Sequence, residues 1–141
     1  MLLLVILSLF SVSITAFKGL RRPISEEIRS NEGVNAKIHL KQYQGGVVDI
    51  EFMVQYAVLA WAEKQPALCE WTDNIRILKS LKACGVITEQ HANLLIEHYQ
   101  TYRKMSHRLS LEQSQQSLVD AAEIATERRD VRMLWDHFFY A

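Results

Sequence analysis

The order of apolar and polar positions divides the chain into an apolar leader, a polar stretch with one strand signal, and a long helical remainder. Residues 1–17 (MLLLVILSLFSVSITAF) hold thirteen apolar residues and no charge, and Lys18, Arg21 and Arg22 follow directly. Residues 18–35 are polar and allow a short helix at Ser25–Ser30. Ser25 can cap it, Glu26 and Glu27 fall in its first turn, and Asn31 to Gly33 stop it. Lys37–Tyr43 (KIHLKQY) alternates as a short strand does, and Gly45-Gly46 breaks the chain after it.

From Val47 the period becomes helical. Met53, Tyr56, Ala57, Ala60 and Trp61 share a face that Phe52 and Leu59 widen, and the spacing predicts a helix to about Lys64, ahead of Pro66. Asp49 and Glu51 stand in its first turn, where carboxylates suit the positive end of the helix dipole. A second helix begins at Trp71–Asp73 with Thr72 as N-cap, carries Ile75, Leu78, Leu81 and Cys84, and ends at Gly85. Thr88 opens a third helix of about 20 residues, roughly 30 Å, striped by Leu94, Leu95, Tyr99, Tyr102, Met105 and Leu109. Residues 112–119 (EQSQQSLV) read as a loop or frayed helix. A last helix spans Asp120 to Phe139 with Ile124, Val131, Leu134, Trp135 and Phe138 apolar. The expected fold is mostly α: an antiparallel bundle of about four helices after a short strand-like stub, behind an apolar N-terminal leader.

Composition narrows the function classes. At 141 residues the chain is one domain, or a domain plus a tail, and 49% apolar residues suffice for a core. Sixteen Lys+Arg balance sixteen Asp+Glu, so the basic excess of a free-standing nucleic-acid binder is missing. Residues 1–48 hold six bases and three acids, and residues 49–141 ten bases and thirteen acids. Such a mild split reads as a solvated helical surface. Five Gly and two Pro argue against a many-turned sandwich or barrel. Cys69 and Cys84 form no framework and no CxxC, which suits reduced thiols in a cytosol.

Three readings of the leader compete. A cleaved secretory signal lacks positive charge ahead of its apolar run and a good cleavage site. A membrane anchor needs about 20 apolar residues, about 17 at the least, which this segment barely reaches. The third reading is a segment foreign to the domain behind it, from a shifted frame or a misplaced start.

Chemistry has few candidates. In KQYQGGVVDIEF (41–52), a strand, a Gly-Gly turn and a helix N-terminus can approach a phosphate, with Lys41 adding charge. Asp49 and Glu51 could offer hard oxygens to a divalent cation, against the stronger reading as dipole and capping residues. His91, His98 and His107 lie along the third helix, and two turns separate His91 from His98 by about 10 Å, too far for one metal ion. With His39 and His137 elsewhere and no HExxH, no metal site is expected. No GxSxG and no activated thiol supports a nucleophile; Cys84 reads as a core thiol. Trp61, Trp71 and Trp135 read as packing anchors.

GGVVDIEFMVQYAVLAWA (45–62) resembles the segment that follows the nucleotidyltransferase core in the glutamine synthetase adenylyltransferases, the bifunctional adenylylating and adenylyl-removing enzymes. Lys41, Gly45, Gly46, Asp49, Ile50, Glu51 and Phe52 match that family's lysine, Gly-Gly turn and Asp-Ile-Glu-Phe helix. WTDNIRIL (71–78), GVITEQHANLL (85–95), YRKMSHRLSL (102–111) and MLWDHF (133–138) resemble its next helices, in order and spacing, so the likeness covers roughly residues 25–141. It is clearest to the C-terminal, adenylylating half.

The resemblance implies AMP transfer from ATP to a tyrosine of glutamine synthetase, with magnesium, under control by glutamine and the PII signal protein. It makes Lys41, Gly45, Gly46, Asp49 and Glu51 nucleotide- or phosphate-proximal. The family's Gly-Ser turn and Asp-x-Asp pair, which hold the metal for transfer, are absent from these 141 residues. Tyr43 and Ser106 also stand where the family often has acids. The expectation is therefore a truncated or frameshifted adenylyltransferase with no catalytic residues, no metal and no bound cofactor of its own. Residues 1–17 would be leader, 18–46 the end of the nucleotidyltransferase core, and 47–141 the C-terminal helical domain. Its expected partners are glutamine synthetase, the missing core and the PII protein, with no nucleic acid. Because the leader has no family counterpart, the foreign-segment reading is preferred and the chain is placed in the cytoplasm. An inner-membrane anchor through residues 1–17 is the alternative, and a non-catalytic helical interaction module or a membrane-tethered helical protein are the alternative functions.

Overall fold

The computed structural model describes residues 37–40, 45–112 and 118–140. The leader, the helix expected at Ser25–Ser30, Lys41 and Tyr43 lie outside the described residues. In chain order the elements are β1 (Lys37–His39), α1 (Val47–Trp61), a 3-10 turn (Pro66–Cys69), α2 (Asn74–Ala83), α3 (Glu89–Leu111), β2 (Leu118–Asp120), a second 3-10 turn (Ala121–Ile124) and α4 (Ala125–Tyr140). Four helices dominate, as the apolar periods predict. No helix among the described residues is long and apolar enough to cross a membrane.

α3 is the axis of the bundle. At 23 residues it is about 35 Å long, and α1, α2 and α4 all pack against it. Ala92, Leu95, Tyr99, Tyr102, Met105 and Leu109 recur every three or four residues and are buried. Thr88 caps it as expected, its hydroxyl accepting the N–H of His91 at 3.2 Å. α2 starts one residue later than the Thr72 cap predicts. Asp73 is the N-cap, its carboxylate accepting the N–H of Arg76 at 3.2 Å. Gly85, at φ +73°, ends α2 by a Schellman turn: Val86 N–H bonds Leu81 C=O and Gly85 N–H bonds Lys82 C=O. Asn74 ties α2 to α3 by donating to the Tyr99 hydroxyl at 3.1 Å.

α1 turns out differently on one side. Ile50, Met53, Val54 and Ala57 are its buried apolar face. Ala60 and Trp61 are exposed, because the helix ends at Trp61 and its last turn projects past the core. Trp71 is also exposed, so of the three expected packing anchors only Trp135 is buried. Arg76 instead stacks over the Trp71 ring at 4.5 Å. Cys84 is partly buried against the core, whereas Cys69 is exposed.

The stretch read as loop or frayed helix contains a strand. Leu118–Asp120 pairs antiparallel with Lys37–His39 in the register Lys37↔Asp120, Ile38↔Val119, His39↔Leu118. Ile38, Leu40 and Val119 are buried, so this two-stranded ladder closes the same core.

Candidate functional site

The Gly45-Gly46 turn sits where α1, α3 and α4 converge. Gly45 has φ +80°, which favours glycine. A Cβ built on it would stand 2.5 Å from the carbonyl oxygen of Arg128 and 2.9 Å from its Cα. The backbone of α4 therefore lies directly on this residue. Gly46 is the N-cap of α1 and supplies no side chain to it.

Two side chains close the turn. Asp49 is 1% exposed, and its carboxylate accepts the N–H of Gly45 at 2.7 Å. Charge-assisted bonds of this kind are about twice as strong as neutral ones. Tyr102, fully buried at the middle of α3, donates its hydroxyl to the carbonyl of Gly45 at 2.5 Å. Both polar groups of one glycine are thus satisfied by side chains from two helices. Burial holds the Tyr102 phenol well above its ordinary pKa; the charges of Glu127, Asp49 and Asp130 add to that, and Arg128 opposes them. At neutral pH it is a hydrogen-bond donor and not a base.

The expected site residues separate. Gly45 and Asp49 come together, but Glu51 is two residues on, on a different side of α1, and partly exposed. A phosphate at this turn would compete with the Asp49 carboxylate for the Gly45 N–H and would meet a like charge. Lys41 lies outside the described residues. Among the described residues, no group of three or more His, Cys, Asp or Glu is placed to hold a metal ion.

Other polar groups of the interior were hidden in the sequence. His98, 5% exposed on α3, meets Asp130 of α4 with Nε2 to Oδ2 at 3.1 Å. Burial pushes the Asp130 carboxyl up, but hydrogen bonds from His98 and Arg129 outweigh it and hold the group below its ordinary value. Their partnership spans 32 residues, so no local signal marks it. Arg128 is buried beside the turn.

At the far end of the bundle a cleft of 280 Å³ opens between α1, the start of α3 and the end of α4. Tyr56, Trp61, Val86, His91, His137 and Phe138 are among the residues lining it. The rings of His91 and His137 stand 5.1 Å apart, edge to face. Partial burial, then the nearby His137, keeps the His91 pKa below its ordinary value.

Comparison with known proteins assigns the arrangement to a family. A family model described as GlnD PII-uridylyltransferase matches residues 19–119. A Pseudomonas putida protein named bifunctional glutamine synthetase adenylyltransferase/adenylyl-removing enzyme is 51% identical over 96 residues, covering 68% of this chain and 10% of that protein. A protein of the same name from Pseudomonas aeruginosa is 51% identical over 100 residues, 71% of this chain and 10% of its own length. Another from Mannheimia haemolytica is 41% identical over 99 residues, 70% of this chain and 10% of its own length. The chain spans about a tenth of the length of the curated relatives it matches. With the family model covering well over half of its 141 residues, the chain belongs to the GlnD PII-uridylyltransferase family and matches a fragment of the bifunctional glutamine synthetase adenylyltransferases.

Proposed function

We propose that this chain is the helical segment that follows the nucleotidyltransferase core in a glutamine synthetase adenylyltransferase, and that it positions that core without transferring AMP itself. The observation that carries the reading is the closure of the Gly-Gly turn. Asp49, the residue best placed to touch a nucleotide or magnesium there, is buried and engaged with Gly45 N–H. Tyr102 and the α4 backbone seal the other side. A turn built this way sets the angle at which a preceding domain enters the bundle.

On this reading ATP and magnesium belong to the core, whose Gly-Ser and Asp-x-Asp motifs these residues lack. Glutamine synthetase is the substrate of the assembled enzyme, and the cytoplasm its compartment. The full chain, mixed with glutamine synthetase and labelled MgATP, should incorporate no label. Coexpressed with the nucleotidyltransferase part of a relative, it should copurify as a one-to-one complex and restore transfer. Label incorporation by the chain alone would refute the reading, and so would failure to associate with the core.

The exposed Trp61 and Trp71 favour a second reading, a binding module for glutamine synthetase or the PII protein. Capture of either purified protein by the chain, weakened by W61A or W71A, would support it.

A further inference from the structure

His137 was not a neighbour of His91 by sequence, yet the fold brings the two imidazoles together from different helices. His91 lies in the first turn of α3 and His137 in the last turn of α4. Both line the 280 Å³ cleft. Neither ring has a hydrogen-bond or ion-pair partner among the described residues, whereas the buried His98 is committed to Asp130.

Two such rings suit one metal ion. Zinc–nitrogen bonds are about 2.0–2.1 Å, and a ring nitrogen lies about 1.1 Å from its ring centre, so each centre sits about 3.2 Å from the metal. At the tetrahedral angle the two ring centres are then about 5 Å apart. The observed separation is 5.1 Å. The rings stand edge to face, and χ2 of histidine is a broad torsion about which each can turn.

We propose that His91 and His137 form a binding site for a borderline divalent transition metal, of the zinc class, at the mouth of the cleft. Neutral imidazoles are preferred ligands for zinc, nickel and copper and poor ones for magnesium or calcium, which seek oxygen. The chain supplies two ligands; water, or a donor from a molecule in the cleft, completes the set. The bound ion would clip the start of α3 to the end of α4. With half the ligands of a structural site and about half its binding free energy, a Kd of about 1–200 μM follows.

The test is titration of the full chain with zinc sulfate at pH 7.5 by calorimetry. One ion per chain is expected, with binding weakened at least tenfold in H91A and in H137A and unchanged in H107A, a change at an exposed residue of the same α3 helix. Zinc at about tenfold over Kd should also raise the Tm of the unaltered chain by about 6–11 °C and leave that of H137A unmoved. H137A alters an exposed residue, so it stays informative even if H91A is poorly folded. Absence of saturable binding up to about 1 mM zinc, or binding by H137A equal to that of the unaltered chain, overturns the proposal.

Discussion

Substitution of Gly45 by alanine separates two costs that usually arrive together. Gly45 and Gly85 both have left-handed backbone, φ +80° and +73°. An alanine in that region costs about 1–2 kcal/mol at either position. The surroundings differ. A Cβ at residue 85 meets nothing within 4 Å, whereas one at residue 45 stands 2.5 Å from the Arg128 carbonyl oxygen and 2.9 Å from its Cα. These are backbone atoms of α4 and cannot rotate away, so the helix must shift. Overpacking of this kind adds about 1–3 kcal/mol. G85A should therefore lose about 1–2 kcal/mol and G45A about 2–5 kcal/mol, a large part of a domain's stability. Urea unfolding at 25 °C, followed by far-ultraviolet circular dichroism, measures both. At about 4–8 °C per kcal/mol the G45A melting point should fall by at least about 8 °C. Equal losses in the two variants would mean that α4 does not rest on Gly45, and the closed-turn argument would fail with it.

Other expectations follow from the same contacts. Y102F removes the donor to the Gly45 carbonyl and should cost about 1–3 kcal/mol in urea unfolding, since the carbonyl stays buried; a loss below about 0.3 kcal/mol would refute the bond. Asp130 has a folded pKa below its ordinary value of about 3.9, so its contribution is present above that pH and is lost as pH falls through the folded value. D130N should therefore flatten the decline in urea midpoint between about pH 5 and pH 3, and an unchanged decline would remove this carboxylate from the account. His91 titrates below about 6.5 when folded, so the unfolded chain binds more protons there and stability drops as pH falls from about 7 through the folded value. In H137A the His91 imidazole, followed by proton NMR, should titrate closer to its ordinary value; an unmoved midpoint would mean the rings are not neighbours.

The helices were legible because each carries a stripe at helical spacing, and Thr88 and Gly85 punctuate α2 and α3 with local chemistry. What the sequence hid was contact at a distance. Asp49 reads as an ordinary first-turn acid whether it faces water or the interior; only Tyr102 and Arg128, far along the chain, make its burial necessary. β2 is three residues after a glutamine-rich run, and its partner lies some eighty residues earlier, so no local alternation exposes it. Trp61 and Trp71 went the other way. A tryptophan in a helical run suggests a core residue, but Trp61 is the last residue of α1 and Trp71 lies ahead of the α2 N-cap, and both are exposed. The candidate site followed the same rule: the motif 45–52 was readable, while the way α3 and α4 occupy it was not.

The short ladder between β1 and β2 has a consequence for the order of folding. Three residue pairs are too few to hold two strands together in water. Joining Lys37 to Asp120 also closes a long loop, at an entropic cost that must be met before those bonds give anything back. The helices, whose contacts are nearer in sequence, should therefore assemble first and present a finished surface on which the strands meet. The reverse journey begins at the same place. In hydrogen exchange the amides of Ile38 and Val119 should open before those of Leu95 or Tyr102, so the chain entering the bundle can come loose while the helices remain intact.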